Sequence, residues 1–422
     1  MELLIYTLRT VAYAIVEPMH LFILVVLGVI FYSKNKRISI MQRMTIGESI
    51  NSPLELTLSQ IALGITAGAI ASLILSFIGV IFNENSGIEV MFIISTLLLF
   101  IKKKFLSFCY SGAILGFISI FFNILANLTN TSVYINVNIL VLMTFVGVMY
   151  IAEGFLVIFD GGRGAMPVFS SIEDKIVGGF AYNRYWALPI AIFIAITSNS
   201  SAVITSSLSM PNWWPMINKA ESLIMLSSAI ISAIPLYGVL SYKEVSFTKR
   251  KAIKPIYSGI GILIYGITLT LVAQISKFGI IGQIVVVIFA PLGYEIMIKI
   301  QGLIEKKGKN IYITDDEGVS VLEVAPNSPA FECGIRRGDK ILEVNEKKAF
   351  SEVEVFKTVR SDHKEILLKV KKISGEIVDL RIIPKNKRVG MLLVPRMVKS
   401  DNVFNVNNDD FKKVLEEMKR KN

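Results

Sequence analysis

The sequence predicts a polytopic α-helical membrane domain followed by a small α+β domain, and three observations lead there. Of 422 residues, 53% are hydrophobic and only 18% are charged, against about 25% charged in an ordinary soluble domain. The mean hydropathy is +0.59. Long apolar runs fill residues 1–300, whereas charge becomes dense and the pattern turns to period two after Ile300. The chain divides accordingly into a multi-span domain at 1–300, a soluble domain at 301–387, and a strand with a basic tail helix at 388–422.

A helix needs about 20 mostly apolar residues to cross a bilayer, and on that rule the first 300 residues predict about nine spans. The first runs near Pro18–Tyr32, after an interfacial apolar stretch at Leu3–Val16. Thr57–Phe82, a short Ile88–Ile101, Phe105–Leu125 and Ile135–Ile158 follow. Trp186–Thr205, Ser222–Leu240, Ile256–Ile275 and Ile280–Ile298 complete the set. Basic residues in short loops mark the cytoplasmic side. Lys34, Lys36, Arg37 and Arg43 share a side with Lys102–Lys104 and with Lys243, Lys249, Arg250, Lys251 and Lys254, while the loops around 83–87, 127–131 and 206–218 hold almost no basic charge. The alternation places the N-terminus outside and everything after Lys299 in the cytoplasm, anchored by Lys299, Lys306, Lys307 and Lys309.

Composition narrows the function classes. The formal net charge is +11, but in a membrane protein such charge serves cytoplasmic loops and anionic headgroups, so the bilayer is the expected partner and nucleic acid is not. Cys109 and Cys333 are the two cysteines, too few for a disulfide framework or a metal cluster. The first apolar stretch has no small-residue cleavage site and is expected to stay in the membrane. Between the spans, Phe159–Tyr185 is the longest loop, and its glycines (Gly161, Gly162, Gly164, Gly178, Gly179) predict an ordered cytoplasmic turn region. Met210–Pro215 places Trp213 and Trp214 between prolines on the outer side, as headgroup anchors.

From Gly318 the alternation of Val319, Val321 and Leu322 reads as a strand with one buried face. Ala325–Asn345 follows, containing Ser328-Pro329-Ala330, Gly334 and Gly338-Asp339. Serine followed by proline caps and opens a short helix, and glycine ends it and then turns into a strand. This stretch resembles the bacterial PDZ signature, and with it the fold class becomes a polytopic helical membrane domain plus a PDZ domain. A second helix fits Glu352–Arg360, with Val355, Phe356 and Val359 on one stripe, and strands fit Glu365–Val370 and Ile377–Ile383. Such domains hold an extended peptide between a sheet edge and a helix. The predicted groove is the strand Ile311, Tyr312, Ile313, Thr314 facing Val355 and Val359, with Lys307 and Gly308 in the loop that meets a carboxylate or acidic side chain. A free C-terminus and an internal segment both remain open as ligands. Val389–Pro395 reads as one more strand, packing on this core or on the membrane domain, and Asp409–Lys421 as a tail helix.

Catalysis finds no residues to carry it. A zinc protease needs His-Glu-x-x-His, and the two histidines, His20 and His363, are far apart. The same scarcity leaves a serine nucleophile without a histidine base. No cofactor and no metal are expected. Ionisable residues inside spans are functional candidates because a charge at mid-bilayer costs several kcal/mol. Glu17, His20, Glu153 and Glu295 are those candidates, with helix packing or snorkelling as the alternative.

The membrane part carries a second resemblance. Lys104–Gly112, Glu153–Phe159, Ile176–Phe180 with Trp186 and Pro189, Pro211–Pro215 and Pro291–Glu295 resemble, in the same order, motifs of the MinJ family. That resemblance implies a Firmicute division-site determinant that bridges the coiled-coil protein DivIVA and the MinC–MinD inhibitor through membrane and PDZ domains. Tyr294 departs from the histidine expected before Glu295. The implied function is a cell-membrane scaffold with DivIVA-like and MinD-like partners. An adaptor or regulator of a protease or secretion system is the alternative, and a transporter comes third.

Overall fold

The computed structural model describes residues 2–101, 107–129, 135–172, 175–197, 214–217, 229–361, 365–385 and 387–396. Lys102–Lys104, Trp213, His363 and the tail helix expected at Asp409–Lys421 lie outside them. The N-terminal part is built from α1 (Glu2–Val16), α2 (Pro18–Ile46), α3 (Pro53–Ile78), α4 (Ile88–Ile101), α5 (Phe108–Thr129), α6 (Ile139–Asp160), α7 (Ile253–Val272) and α8 (Gly279–Lys307). Local chemistry starts them: Pro18 and Pro53 occupy first turns, and Glu17, Ser52 and Asn138 cap α2, α3 and α6 by accepting backbone N–H bonds. Among the described residues five helical segments are long and apolar enough to cross a membrane: α2, α3, α5, α6 and the α7–α8 pair taken as one. α4, with 14 residues, measures about 21 Å, short of a hydrocarbon core of about 30 Å.

Two stretches expected as spanning helices are strands instead. β3 (Lys175–Thr197) and β4 (Ala229–Ser246) form a long antiparallel pair, with Thr197 opposite Ala229 and Phe180 opposite Ser246. Trp186–Thr197 and Ala229–Leu240 are therefore extended. An apolar run buried on both faces reads alike as helix or strand. Two features break the tie: Pro189 and Pro235 would each remove a helical hydrogen bond, and Trp186, Leu188, Ile190, Ile192, Ile194 and Ile196 recur at every second position. β1 (Ile81–Asn83) pairs parallel with β3 at Phe193–Ala195, and β2 (Met166–Ile172) pairs antiparallel with Lys175–Ala181.

A strand pair among apolar helices must have its outer N–H and C=O groups met by protein, since lipid offers no partner. The helices supply them here. On the β3 side, Ser72 Oγ of α3 accepts the Ala191 N–H at 2.9 Å. Gly68 and Gly64 occupy the same face one and two turns earlier, and a Cβ on them would overlap the carbonyl oxygens of Pro189 and Ala187. On the β4 side, Tyr6 Oη accepts the Ala233 N–H at 3.2 Å, and His20 Nε2 lies 3.2 Å from the Pro235 carbonyl. Pro235, which has no N–H to offer, thus stands at an edge, where proline is tolerated.

At one end of the hairpin a charge pair locks β3 to α6. Arg184, fully buried, donates from Nε to Asp160 Oδ2 at 3.0 Å and from Nη2 to Ser59 Oγ at 2.7 Å. Trp186 Nε1 donates to the same carboxylate oxygen at 2.8 Å. Removing one member of a buried pair strands the other and costs about 3–5 kcal/mol. Asp160→Ala is therefore expected to lower the melting temperature in detergent by on the order of 10 °C, read by tryptophan fluorescence.

After α8 the chain makes β5 (Tyr312–Ile313), β6 (Val319–Val324), α9 (Pro329–Glu332), β7 (Lys340–Val344), β8 (Lys347–Lys348), α10 (Glu352–Ser361), β9 (Ile366–Lys371), β10 (Ile377–Ile382) and β11 (Met391–Leu393). Their sheet runs β10-β9-β7-β6-β11, with β8 on β7. Its core gathers Val319, Val321, Ile341, Ile366, Leu368 and Val370 with Val355 and Val359 of α10. β5 stands apart from this sheet and joins the hairpin, Tyr312 opposite Gly178 and Ile313 opposite Val177.

Candidate functional site

The serine-proline stretch folds as its chemistry dictates. Ser328 Oγ accepts the Phe331 N–H at 3.3 Å and caps α9, with Pro329 in the first turn. Asp339 then gathers the turn after Gly338, accepting from the N–H groups of Arg336 at 2.9 Å and Ile373 at 3.2 Å and from Lys372 Nζ at 3.1 Å. These contacts position β6, and β6 positions β11 as the outermost strand.

β11 is the edge that matters. Ala325 N–H bonds to the Gly390 carbonyl at 2.8 Å and Val394 N–H to the Ser320 carbonyl at 2.9 Å, with Leu392 opposite Glu323. An antiparallel strand alternates its bonding direction, so residues 390, 392 and 394 face β6 and the N–H and C=O groups of Met391 and Leu393 face away from it. Their side chains join Val355 and Val359 of α10 in one core. The far end of the strand is tied to the start of the helix by Arg396 N–H, which donates to Glu352 Oε2 at 3.2 Å. At the near end a tight turn between Lys385 and Arg388, with reciprocal backbone bonds of 2.9 and 3.0 Å, leads into Gly390. Lys385, Lys387 and Arg388 are exposed there. The result is a strand at the end of the sheet beside a helix, with positive charge at one end, the arrangement in which PDZ domains hold an extended peptide.

Of the residues anticipated for a groove, Val355 and Val359 lie on the helix beside this edge. Ile311–Thr314 do not: Tyr312 and Ile313 are consumed by pairing with β3. Tyr312 is 2% exposed and packs edge-on against Phe180 at 5.6 Å, and burial pushes its phenol up to about 12. Thr314 Oγ1 donates to the Val394 carbonyl. Lys307 ends α8, and Gly308, beside Thr248, donates to the Glu305 carbonyl. The sequence reads Val389–Pro395 as a strand but does not place Met391 and Leu393 beside α10, and it gives no role to Lys385, Lys387 and Arg388 before that strand.

The two sheets are also clamped together. Glu323 of β6, fully buried, accepts from Lys251 Nζ at 3.0 Å and from Arg337 Nε. Burial pushes the Lys251 ammonium down, and the Glu323 charge opposes that shift. Gly178 lets Val394 and Leu322 close on β3, since a Cβ there would press on both at about 3 Å. Glu305 accepts from the N–H groups of Phe247 at 2.8 Å and Thr248 at 3.0 Å. Glu323→Ala leaves two cations facing each other without their shared anion. It is expected to speed amide exchange at Val177–Gly178 and Tyr312–Ile313 by ~100-fold, the equivalent of about 3 kcal/mol.

The intramembrane candidates fall into separate bonding groups. Glu17 and His20 pair at 2.6 Å, and His20 reaches the β4 edge, so both serve the hairpin. Glu295 of α8 accepts from Tyr110 of α5. Glu153 is buried on α6 next to a cluster in which the rings of Tyr150, Tyr265 and Tyr294 meet edge-on or tilted, with centroids 4.7–5.8 Å apart. Among the described residues no group of three or more His, Cys, Asp or Glu is arranged to hold a metal ion.

With long apolar helices preceding a sheet of this kind, the chain is a helical membrane domain followed by a PDZ domain. Residues 320–372 match the family model described as a PDZ domain. The matched stretch runs from β6 to β9 and stops before β11. A PDZ domain is a non-catalytic interaction module that binds proteins. No curated protein matches the chain.

Proposed function

We propose that this chain is a non-catalytic membrane scaffold that recruits partner proteins through the β11–α10 groove, on the cytoplasmic side. The observation that carries the reading is β11 itself, the last strand of the sheet, whose Met391 and Leu393 N–H and C=O groups point away from β6, with α10 beside it and the exposed basic residues Lys385, Lys387 and Arg388 just before it. The cytoplasmic side is supported by the basic stretch Lys249–Lys254 and by the basic residues Lys299, Lys306, Lys307 and Lys309 at the end of α8 and just after it. The resemblance of the membrane-domain motifs to the MinJ family supports a role in placing or regulating cell division, with DivIVA-like and MinD-like proteins as partners. A fluorescent fusion of the full chain tests that role: enrichment at septa and poles is expected, and even membrane labelling contradicts it.

A second reading uses the same groove to make the chain an adaptor or regulator of a protease or secretion system. Affinity capture of the full chain from detergent, with and without the substitution Leu393→Pro, separates the two. Division proteins lost with the substitution support the first reading, and a protease or secretion component lost with it supports the second.

A further inference from the structure

Glu153 is a buried acid without a partner. It is 8% exposed on α6, and among the described residues its carboxylate makes no hydrogen bond and no ion pair. A charge left in that state inside an apolar helical domain is strongly unfavourable. Its surroundings are nonetheless polar, and three helices supply them. Tyr150 stands one turn earlier on the same face of α6, and the hydroxyls of Tyr150, Tyr265 of α7 and Tyr294 of α8 lie within electrostatic reach of the carboxylate. Ser107, just before α5, bonds the Tyr150 hydroxyl and lies beside that of Tyr294. The neighbouring groups are already engaged: Tyr265 donates to the Ala290 carbonyl at 2.6 Å, and Tyr110 donates to Glu295. Glu153 is the group left unmet. Toward the start of α7 the polar face continues, since Ser258, Gly261 and Tyr265 recur at helical spacing. Ser258 Oγ is buried without a hydrogen-bond partner among the described residues. Gln301 of α8 lays its amide on Gly261, with Nε2 2.4 Å from where a Cβ would be, and donates to the Ser258 carbonyl at 3.3 Å.

We propose that Glu153 is the centre of a binding site for a monovalent alkali cation, Na⁺ or K⁺, with the hydroxyl oxygens of Tyr150, Tyr294 and Ser107 in its shell and the Ser258–Gln301 face as its approach. Carboxylate and hydroxyl oxygens are hard donors that suit a hard cation. Glu153 brings one unmet charge, which one monovalent ion cancels and a divalent ion would exceed. An organic ammonium is excluded by size, because the rings of Tyr150, Tyr265 and Tyr294 already touch, with centroids 4.7–5.8 Å apart. An alkali ion also does without the His, Cys and carboxylate sets that hold transition metals. The next residue, Gly154, brings α6 against α7, a Cβ there falling 2.8 Å from the Gly259 carbonyl oxygen. An ion on Glu153 thus ties α8 to a point where α6 and α7 are in backbone contact, and binding stabilises the helical domain.

The test is thermal unfolding of the full chain in detergent at constant ionic strength, with NaCl or KCl exchanged for choline chloride, whose cation is too large for the site. A melting temperature higher by about 3–5 °C in one of the alkali salts is expected, the size that goes with an ion at roughly a hundred times its dissociation constant. Glu153→Gln, which keeps the shape and removes the charge, is expected to abolish the rise, and Glu153→Asp to keep part of it. Binding of radioactive Na⁺, or of Rb⁺ as the tracer for K⁺, is expected to saturate at about one ion per chain. Where Glu153→Gln does not fold, Ser107→Ala, which removes one oxygen of the shell, is expected to weaken tracer binding by about tenfold. A melting temperature that is the same in choline, a rise that persists in Glu153→Gln, or a folded parent chain that binds neither tracer overturns the proposal. Neither readout involves the groove.

Discussion

Gly68→Leu is expected to leave almost no folded protein. The α3 backbone meets the β3 edge at Gly64 and Gly68, where a Cβ would occupy the space of the Ala187 and Pro189 carbonyl oxygens. Neither neighbour is a flexible side chain. The leucine must push the helix off the strand, which also draws Ser72 away from the Ala191 N–H. Overpacking alone costs typically 1–3 kcal/mol, and an unmet N–H in an apolar setting adds roughly 2–7 kcal/mol. That sum takes up most of the 5–15 kcal/mol by which domains are ordinarily stable. The measurement is the monodisperse fraction on size exclusion in detergent, with Gly68→Ala losing part of it and Gly68→Leu nearly all.

The second large effect is on binding. Leu393→Pro is expected to reduce binding of a groove peptide by at least tenfold, read well below the variant's melting range, because the substitution also removes a buried side chain from the core and lowers the melting temperature by several degrees. The substitution removes an N–H that faces away from β6, so the ladder with β6 keeps its bonds at residues 390, 392 and 394. Proline is admitted on an edge strand for that reason. One lost main-chain bond to a ligand, together with the clash of the ring at the added strand, accounts for 1.4 kcal/mol or more, which is a factor of ten. Isothermal titration with a library-selected peptide reads the affinity. Tyr312→Phe, on the strand that pairs with β3 instead, is expected to leave it unchanged.

Much of this was legible in the residues. The soluble fold announced itself locally, because caps and turns are short-range chemistry: Ser328 and Pro329 open α9, and Val355 with Val359 marks the buried stripe of α10. Which strand lies at the end of the sheet beside α10 was not legible. Ile311–Thr314 and Val389–Pro395 both read as strands, and what separates them is long-range pairing, β11 with β6 across about 70 residues and β5 with β3 across about 135. Sheet order is a property of the packed molecule, and alternation within one strand carries no information about its neighbour. The hairpin was hidden for a different reason. Hydropathy summed over a window cannot tell a strand buried on both faces from a spanning helix, and the deciding residues were two prolines, Pro189 and Pro235, inside otherwise uniform runs. Glu17 and His20 were conspicuous as charges in an apolar context, yet their work is to serve the β4 edge, which becomes visible only when β4 is known to be a strand.

The central claim is that a peptide adds to β11 beside α10. Amide exchange of the full chain, measured by mass spectrometry with and without the library-selected peptide, tests it most directly. Strong added protection in peptides covering Met391–Leu393, with that of Tyr312–Ile313 unchanged, is the result the account predicts. Added protection at Tyr312–Ile313, or none at β11 with the peptide saturating, would contradict it.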